Sequence, residues 1–299
     1  MQQMRLGMIG YGEVGGIFCT GLVPQLQAVC AWDLKLATAA SAAPLKAKAA
    51  ENGIILSGSM ADLCAASDLL ISAVTASNTV AVAQEAAAHL QAGTVFLDLN
   101  SASPGAKRQA AALIEAAGGH YVEAGVMTSV PPYGIRVPML LGGAYAETLA
   151  GQLTAMGMDA KVVSPELGVA SAIKMCRSVM IKGLEALVIE SYTTARAYGV
   201  EDYVLPTLQE TFPSIDWTEQ GRYFFSRVVQ HGRRRAEEMR EVANTVHEAG
   251  FEPWMAAATA EKQDWVAGQA AEGVFQSLPA KAGWQAYADC LIASSKNSS

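Results

Sequence analysis

The feature that most limits how this chain folds is a regular alternation over its first half. Short, nearly continuous apolar runs at 6–9, 28–32, 69–74, 95–99, 121–126, 139–141 and 161–163 are separated by alanine-rich stretches of helical pattern, such as 79–90 and 106–117. Strands apolar on both faces need helices on both sides, so the pattern predicts an α/β domain built on a parallel sheet. Glycine pairs such as Gly118-Gly119 and Gly142-Gly143 punctuate the units. After Ser164-Pro165 the alternation stops. One proline-free helical stretch runs from 168 to about 197, and others follow near 201–211, 218–229, 232–249, 254–269 and 279–294. The expected organisation is an α/β sheet domain over 1–164 and an all-helical domain over 165–299, joined by a long helix.

Composition narrows the functions. With 51% hydrophobic and only 16% charged residues, the 299-residue chain is long and apolar enough for two packed cores. Its 21 basic and 28 acidic residues give a net charge of −7, with no long basic stripe to follow a nucleic acid. No window holds the ~20 uninterrupted apolar residues that a membrane span requires. The N-terminal residues run straight into a strand pattern without the regions of a signal peptide. Five cysteines without a Cys-x-x-Cys pair, and four dispersed histidines, predict a reducing, cytoplasmic setting and no metal site.

The first apolar run ends in Gly10-Tyr11-Gly12-Glu13-Val14-Gly15. At a strand-to-helix turn, this spacing is the dinucleotide fingerprint. Gly10 makes the tight turn, Gly12 admits a pyrophosphate to the backbone, and Gly15 lets helix and strand pack closely. The unpaired amides at the following helix N-terminus favour an anion, with Glu13 turned to solvent. The second apolar run ends in Asp33, 18 residues beyond Gly15, where a carboxylate accepts bonds from ribose hydroxyls. That charge repels a 2′-phosphate and favours NAD, while nearby Lys35 leaves NADP open. The run at 69–74 leads into Val74-Thr75 and that at 95–99 into Asn100-Ser101, at the strand ends where such sheets collect ligands.

On the long helix, Lys174, Ser178 and Lys182 share one face at i, i+4 and i+8, with Glu185 near the same line. Two readings stand: a solvated stripe with a Lys182–Glu185 pair, or polar groups facing a ligand.

Four stretches resemble the β-hydroxyacid dehydrogenases, relatives of 6-phosphogluconate dehydrogenase. They are the glycine turn at 10–15, Asp98-Leu99-Asn100-Ser101, the Gly168/Lys174 pair, and the run 231–239 that continues into Gly250-Phe251-Glu252-Pro253. The likeness spans nearly the whole chain and is closest to a branch whose C-terminal domain has no assigned function. It implies a Rossmann-type first domain, with the active site between the domains. It further implies Lys174 as the group that exchanges the hydroxyl proton during hydride transfer, Asn100 beside nicotinamide and substrate, and a homodimer. A lysine acting as base near neutrality needs desolvation or a neighbouring cation such as Arg177 or Lys182. Two departures mark this chain. Ser178 stands where many relatives have asparagine, and Thr128-Ser129-Val130-Pro131-Pro132 replaces the Ser-Gly-Gly that binds a substrate carboxylate. Thr128, Ser129, Lys174 and Ser178 are therefore the expected substrate contacts, and Lys174, Asn100 and Ser178 the expected catalytic set.

Arg233-Arg234-Arg235 is followed by Glu237 and Glu238 at i+4 from the first two arginines, as in a salt-bridged helix face. The alternative has His231 or Arg234 holding an anionic substrate group. Phe212, Trp217, Tyr223, Phe224 and Phe225 read first as helical core, with an apolar substrate pocket as the alternative. The expected activity is an NAD(P)-dependent interconversion of a secondary alcohol, a hydroxyacid or related compound, with its ketone. An imine reductase and a non-catalytic dinucleotide sensor are the rivals.

Overall fold

The computed structural model describes residues 2–297. Among them, β1 (Gln2–Ile9), β2 (Leu26–Trp32), β3 (Ile55–Leu56), β4 (Leu69–Ser72), β5 (Val95–Asp98), β6 (His120–Val126), β7 (Met139–Gly142) and β8 (Ala160–Ser164) form one sheet. Its order is β3-β2-β1-β4-β5-β6-β7-β8. All neighbouring strands are parallel except β6 and β7, so the sheet is mostly parallel rather than wholly so. The chain doubles back there through residues 127–138, which include one 3-10 turn at Gly134–Arg136. The edge strand β3 escaped the sequence pattern because two residues carry no periodicity.

Helices α1 (Glu13–Leu22), α2 (Ala39–Glu51), α3 (Met60–Ala65), α4 (Thr79–Ala87), α5 (Pro104–Ala116) and α6 (Ala146–Ala155) complete this part. Successive strand residues point to opposite faces. Leu69, Ile71 and Leu97 join a core with Phe18 of α1 and Leu149 of α6. Leu70 and Phe96 join a second core with Leu63 of α3, Ala83 of α4 and Ile114 of α5. That two-sided burial is why the strands read as continuous apolar runs.

Helix α7 (Val169–Tyr198) follows as one uninterrupted helix. The chain divides into two compact units within it, between Met175 and Cys176. Its first turns belong to the sheet unit because β6 carries Gly125. A Cβ there would lie 2.9 Å from the Ala170 carbonyl oxygen, so the helix backbone rests on the strand.

The second unit adds α8 (Glu201–Thr211), α9 (Trp217–Glu248), α10 (Trp254–Ala271) and α11 (Trp284–Asn297). The helices expected at 218–229 and 232–249 are one, α9, and the last helix begins at Trp284 rather than near 279. Gly232 is no breaker. It lets α10 approach, since a Cβ would stand 2.8 Å from the Gln263 carbonyl oxygen. Trp217, Phe224 and Phe225 are core, packed with Tyr192, Trp284 and Tyr287, whereas Phe212 and Tyr223 are half exposed. The dense charges also have different partners from those read by spacing. Lys182 pairs with Glu238 at 2.6 Å, Glu185 with Arg235, and Arg233 with Asp264, while Arg234–Glu238 is the expected i,i+4 pair.

Gly232→Ala is expected to lower stability by about 1–3 kcal/mol through overpacking. Gly183→Ala, on α7, meets its nearest neighbour only at 3.9 Å and is expected to be neutral or to stabilise by up to about 1 kcal/mol. Thermal melts of the two variants check both. Burial pushes the Cys19 thiol up to about 12 and that of Cys64 to about 11, from an ordinary 9.0. The unfolded chain then releases these protons first. Their stabilising contribution is whole below pH 9.0 and is lost as pH rises towards 11 and 12. A Cys19→Val variant should show a shallower alkaline loss of stability in denaturant melts.

Candidate active site

The register of the sheet lines up the ends of its central strands. Ile9 pairs with Ser72, Ser72 with Asp98, and Asp98 with Glu123. One row of polar side chains therefore crosses the sheet at its carboxyl edge, and Asp98 is its centre. This carboxylate is 1% exposed and accepts from the Tyr121 hydroxyl (2.6 Å) and the Asn100 amide (2.8 Å). The Lys107 ammonium lies 3.0 Å away and also donates to the Asp98 carbonyl. Burial above all, and then the neighbouring Asp98 charge, holds the Tyr121 phenol well above its usual range, so it remains a donor.

Asp98 sets the loop that carries Asn100 and Ser101. The Asn100 side chain is engaged at both ends: Oδ1 accepts from Val74 N (2.7 Å) and Nδ2 donates to Ser72 Oγ (3.0 Å). It stitches the ends of β4 and β5 together and leaves Thr75 exposed beyond them. Ser101 is the residue that sequence reasoning passed over. The Lys174 ammonium donates to Ser101 Oγ at 2.6 Å, which places the lysine beside the residue after Asn100. The signal was available, because Ser101 closes the quoted Asp98-Leu99-Asn100-Ser101 stretch at a strand's carboxyl end.

The glycine turn shows three different requirements. Gly10 has φ +91°, and a Cβ on it would meet the Ala73 carbonyl oxygen at 2.6 Å. On Gly15, a Cβ would fall 1.9 Å from the Gly10 carbonyl oxygen. Gly12 is exposed, and a Cβ there would touch nothing within 4 Å. Gly10 and Gly15 are glycine for packing; Gly12 faces open space at the N-terminus of α1, where the first amides have no intrahelical partner. That is the room and polarity a pyrophosphate needs. Glu13 is exposed, as expected of a side chain turned to solvent.

Asp33 lies at the end of β2 and accepts from Tyr11 N (2.8 Å) and Lys35 N (2.9 Å). Each oxygen keeps acceptor capacity for a ribose hydroxyl. Tyr11 points inward, fully buried, with its amide given to Asp33, and Val74 gives its amide to Asn100. Lys48 of α2 donates to the Gly12 carbonyl at 3.1 Å and stands 4.8 Å over the Tyr11 ring.

Thr128 and Ser129 are exposed in the loop after β6, which Val130 anchors by accepting from the amides of Tyr133 and Gly134. Ser178 is buried one turn beyond Lys174 along α7, in the second unit. Arg235 is buried against Glu185, which also accepts from Gln263 at 3.3 Å, so that arginine is spent inside the helical core. Among the described residues, no group of three or more His, Cys, Asp or Glu is placed to hold a metal ion. Nor is any described helix long and apolar enough to cross a membrane.

Comparison with known proteins supplies the family. Residues 5–134 match the NAD binding domain of 6-phosphogluconate dehydrogenase, and 195–266 match a domain of unknown function, DUF1932. A conserved hypothetical protein from Sinorhizobium meliloti 1021 is 38% identical over 97% of this chain and 96% of its own, with a TM-score of 0.75. The chain belongs to the 6-phosphogluconate dehydrogenase-like family. It thus carries an NAD(P)-binding domain on a fold shared with NAD(P)-dependent dehydrogenases. A second similar structure is the conserved protein MTH1747 of unknown function, described as resembling 3-hydroxyacid dehydrogenases. It is 30% identical over 90% of this chain and 99% of its own, with a TM-score of 0.67. At 16% identity the fold likeness extends to a Mycobacterium tuberculosis 3-hydroxyisobutyrate dehydrogenase determined with L-serine, covering 97% and 99% of the two chains with a TM-score of 0.69.

Lys107→Ala leaves the Asp98 carboxylate buried without its cation and should cost about 3–5 kcal/mol of stability. Urea melts check this, and Lys107→Ala combined with Asp98→Asn should lose less than the two single changes summed.

Proposed function

We propose that this member of the family is an NAD(P)-dependent oxidoreductase that interconverts a secondary alcohol, a hydroxyacid or related compound, with its ketone. The observation that carries the reading is the Lys174–Ser101 hydrogen bond beside Asn100, at the carboxyl edge of the sheet that holds the glycine turn. A bound nicotinamide supplies the hydride acceptor or donor. Lys174 Nζ, as the neutral amine, takes the hydroxyl proton when the alcohol is oxidised and, as the ammonium, returns it when the ketone is reduced. The Ser101 hydroxyl holds Nζ in place, and Asn100 acts as a positioning residue for the strand ends that flank it. Ser178, Thr128 and Ser129 are the groups we assign to substrate.

Gly10, Gly12, Val14 and Gly15 form the pyrophosphate turn, with Glu13 facing solvent. Asp33, with its carboxylate adjacent to that turn, favours NAD over NADP. Exposed apolar side chains on α7 (Met180, Leu187, Tyr198) and at the α9–α10 turn (Phe251, Trp254, Met255) support a homodimer. Five unpaired cysteines suit a cytoplasmic setting.

The test is absorbance at the reduced-nicotinamide band with NAD and NADP, using aliphatic, phosphorylated and aromatic β-hydroxyacids that carry a secondary hydroxyl, and plain secondary alcohols. Wild type is expected to turn over, faster with NAD. Lys174→Ala should lose about 10²–10⁴-fold in kcat while calorimetry shows unchanged cofactor affinity. Equal turnover by both proteins would remove Lys174 from the chemistry, and cofactor binding without turnover of any compound would favour the sensor.

A further inference from the structure

Helix α7 starts in an unusual way. Gly168 opens it with φ +99°, and the amides of Gly168 and Ala170 both donate to one oxygen, Glu123 Oε1, at 2.8 and 3.0 Å. Glu123 comes from the middle of the sheet, on β6, and is 0% exposed. Its other oxygen, Oε2, is buried without a hydrogen-bond partner. A carboxylate so placed lies at the positive end of a thirty-residue helix, where charge and unpaired amides complement each other.

The surroundings are cut to fit this side chain. On β7, a Cβ at Gly142 would lie 2.6 Å from Glu123 Oε1. Two residues along β6, on the same face as Glu123, Gly125 lets the helix settle. A Cβ there would lie 2.9 Å from the Ala170 carbonyl oxygen and 3.5 Å from Lys174 Cβ. In a helix that same Ala170 carbonyl accepts the amide of Lys174, four residues on. Glu123 therefore grips the turn from which Lys174 springs, and Lys174 reaches Ser101 from there.

We propose that Glu123 is the positioning residue of the lysine: Oε1, as a two-fold acceptor, seats the first turn of α7 on β6 and so fixes Lys174 Nζ against Ser101. The functional consequence rests on the reading of Lys174 as the proton carrier; the positioning itself does not.

Three full-length variants test it: Glu123→Gln, which keeps an acceptor oxygen at the same reach; Glu123→Asp, which withdraws it by one methylene; and Glu123→Ala. The first readout is hydrogen exchange of the amides at 168–174, together with trace acetylation of Lys174 by acetic anhydride. In Glu123→Ala, exchange there should rise about tenfold or more while α1 and β2 stay protected, and Lys174 labelling should change severalfold. Glu123→Gln should restore both, with Glu123→Asp between. In turnover, Glu123→Ala should lose about 10- to 100-fold in kcat with KM for NAD unchanged, again restored by glutamine. A folded Glu123→Ala protein with wild-type exchange and labelling at these positions overturns the proposal. If Glu123→Ala does not fold, Glu123→Asp carries the same comparison. A glutamine variant as open as the aspartate variant also overturns it, because the acceptor at Oε1 would then not be what seats the helix. Should Lys174→Ala leave turnover intact, the catalytic reading fails alone, and the exchange and labelling still decide the role of Glu123.

Discussion

A negative charge with almost no access to water stands at the carboxyl end of β5, and the site is organised around keeping it satisfied. An isolated buried carboxylate costs several kcal/mol even after relaxation, so Asp98 must have partners. It takes them from three directions: the Lys107 ammonium on α5, the Tyr121 hydroxyl on β6, and the backbone amide of Asn100. Each partner fixes a different element. Satisfying one charge thereby locks two strands, a helix and the turn that carries Asn100 and Ser101. The side chain of Asn100 extends the same logic to β4, through Ser72 and Val74.

Close approach of backbone is the second constraint, and glycine supplies it where packing demands it. Gly15 lets α1 pass over the turn at Gly10, and Gly125 lets α7 rest on β6. Gly12 stands apart, since nothing in the protein occupies the space its missing side chain leaves. The contrast separates glycines that serve the fold from the one that leaves room for a ligand. Asp33 connects the two roles. By accepting the amides of Tyr11 and Lys35 it braces the turn from the end of β2, and it keeps a carboxylate at the edge of the open space.

The helical unit treats its charges differently. Glu185 and Arg235 are nearly buried against each other, with Gln263 of α10 adding a donor, and Lys182 pairs with Glu238. These contacts join α7, α9 and α10 at fixed registers. Truncating one member of such a pair is far more costly than replacing both with apolar groups of similar volume. The run 231–239, dense in charge and open to a substrate-binding reading, is therefore largely an interhelical fastening.

The sequence by itself determined the alternation of strand and helix, the two-sided burial of the strands, the glycine turn with its acidic partner at Asp33, and the long helix bearing Lys174. All of these follow from local rules: side-chain period, backbone freedom at glycine, and spacing along one element. What the tertiary structure decided was partnership across elements. The Lys182–Glu185 pairing suggested by helical spacing gave way to Lys182–Glu238 and Glu185–Arg235, because burial between helices outweighs a solvated i,i+3 contact. The helices expected at 218–229 and 232–249 are one, and Gly232 within it is where α10 comes close. Ser101 was visible only as the close of the Asp98-Leu99-Asn100-Ser101 stretch, and Glu123 not at all, since neither the hydrogen bond to Lys174 nor the grip on the start of α7 has any trace in residue spacing. Their partners are many residues away, and only the folded sheet brings them within reach.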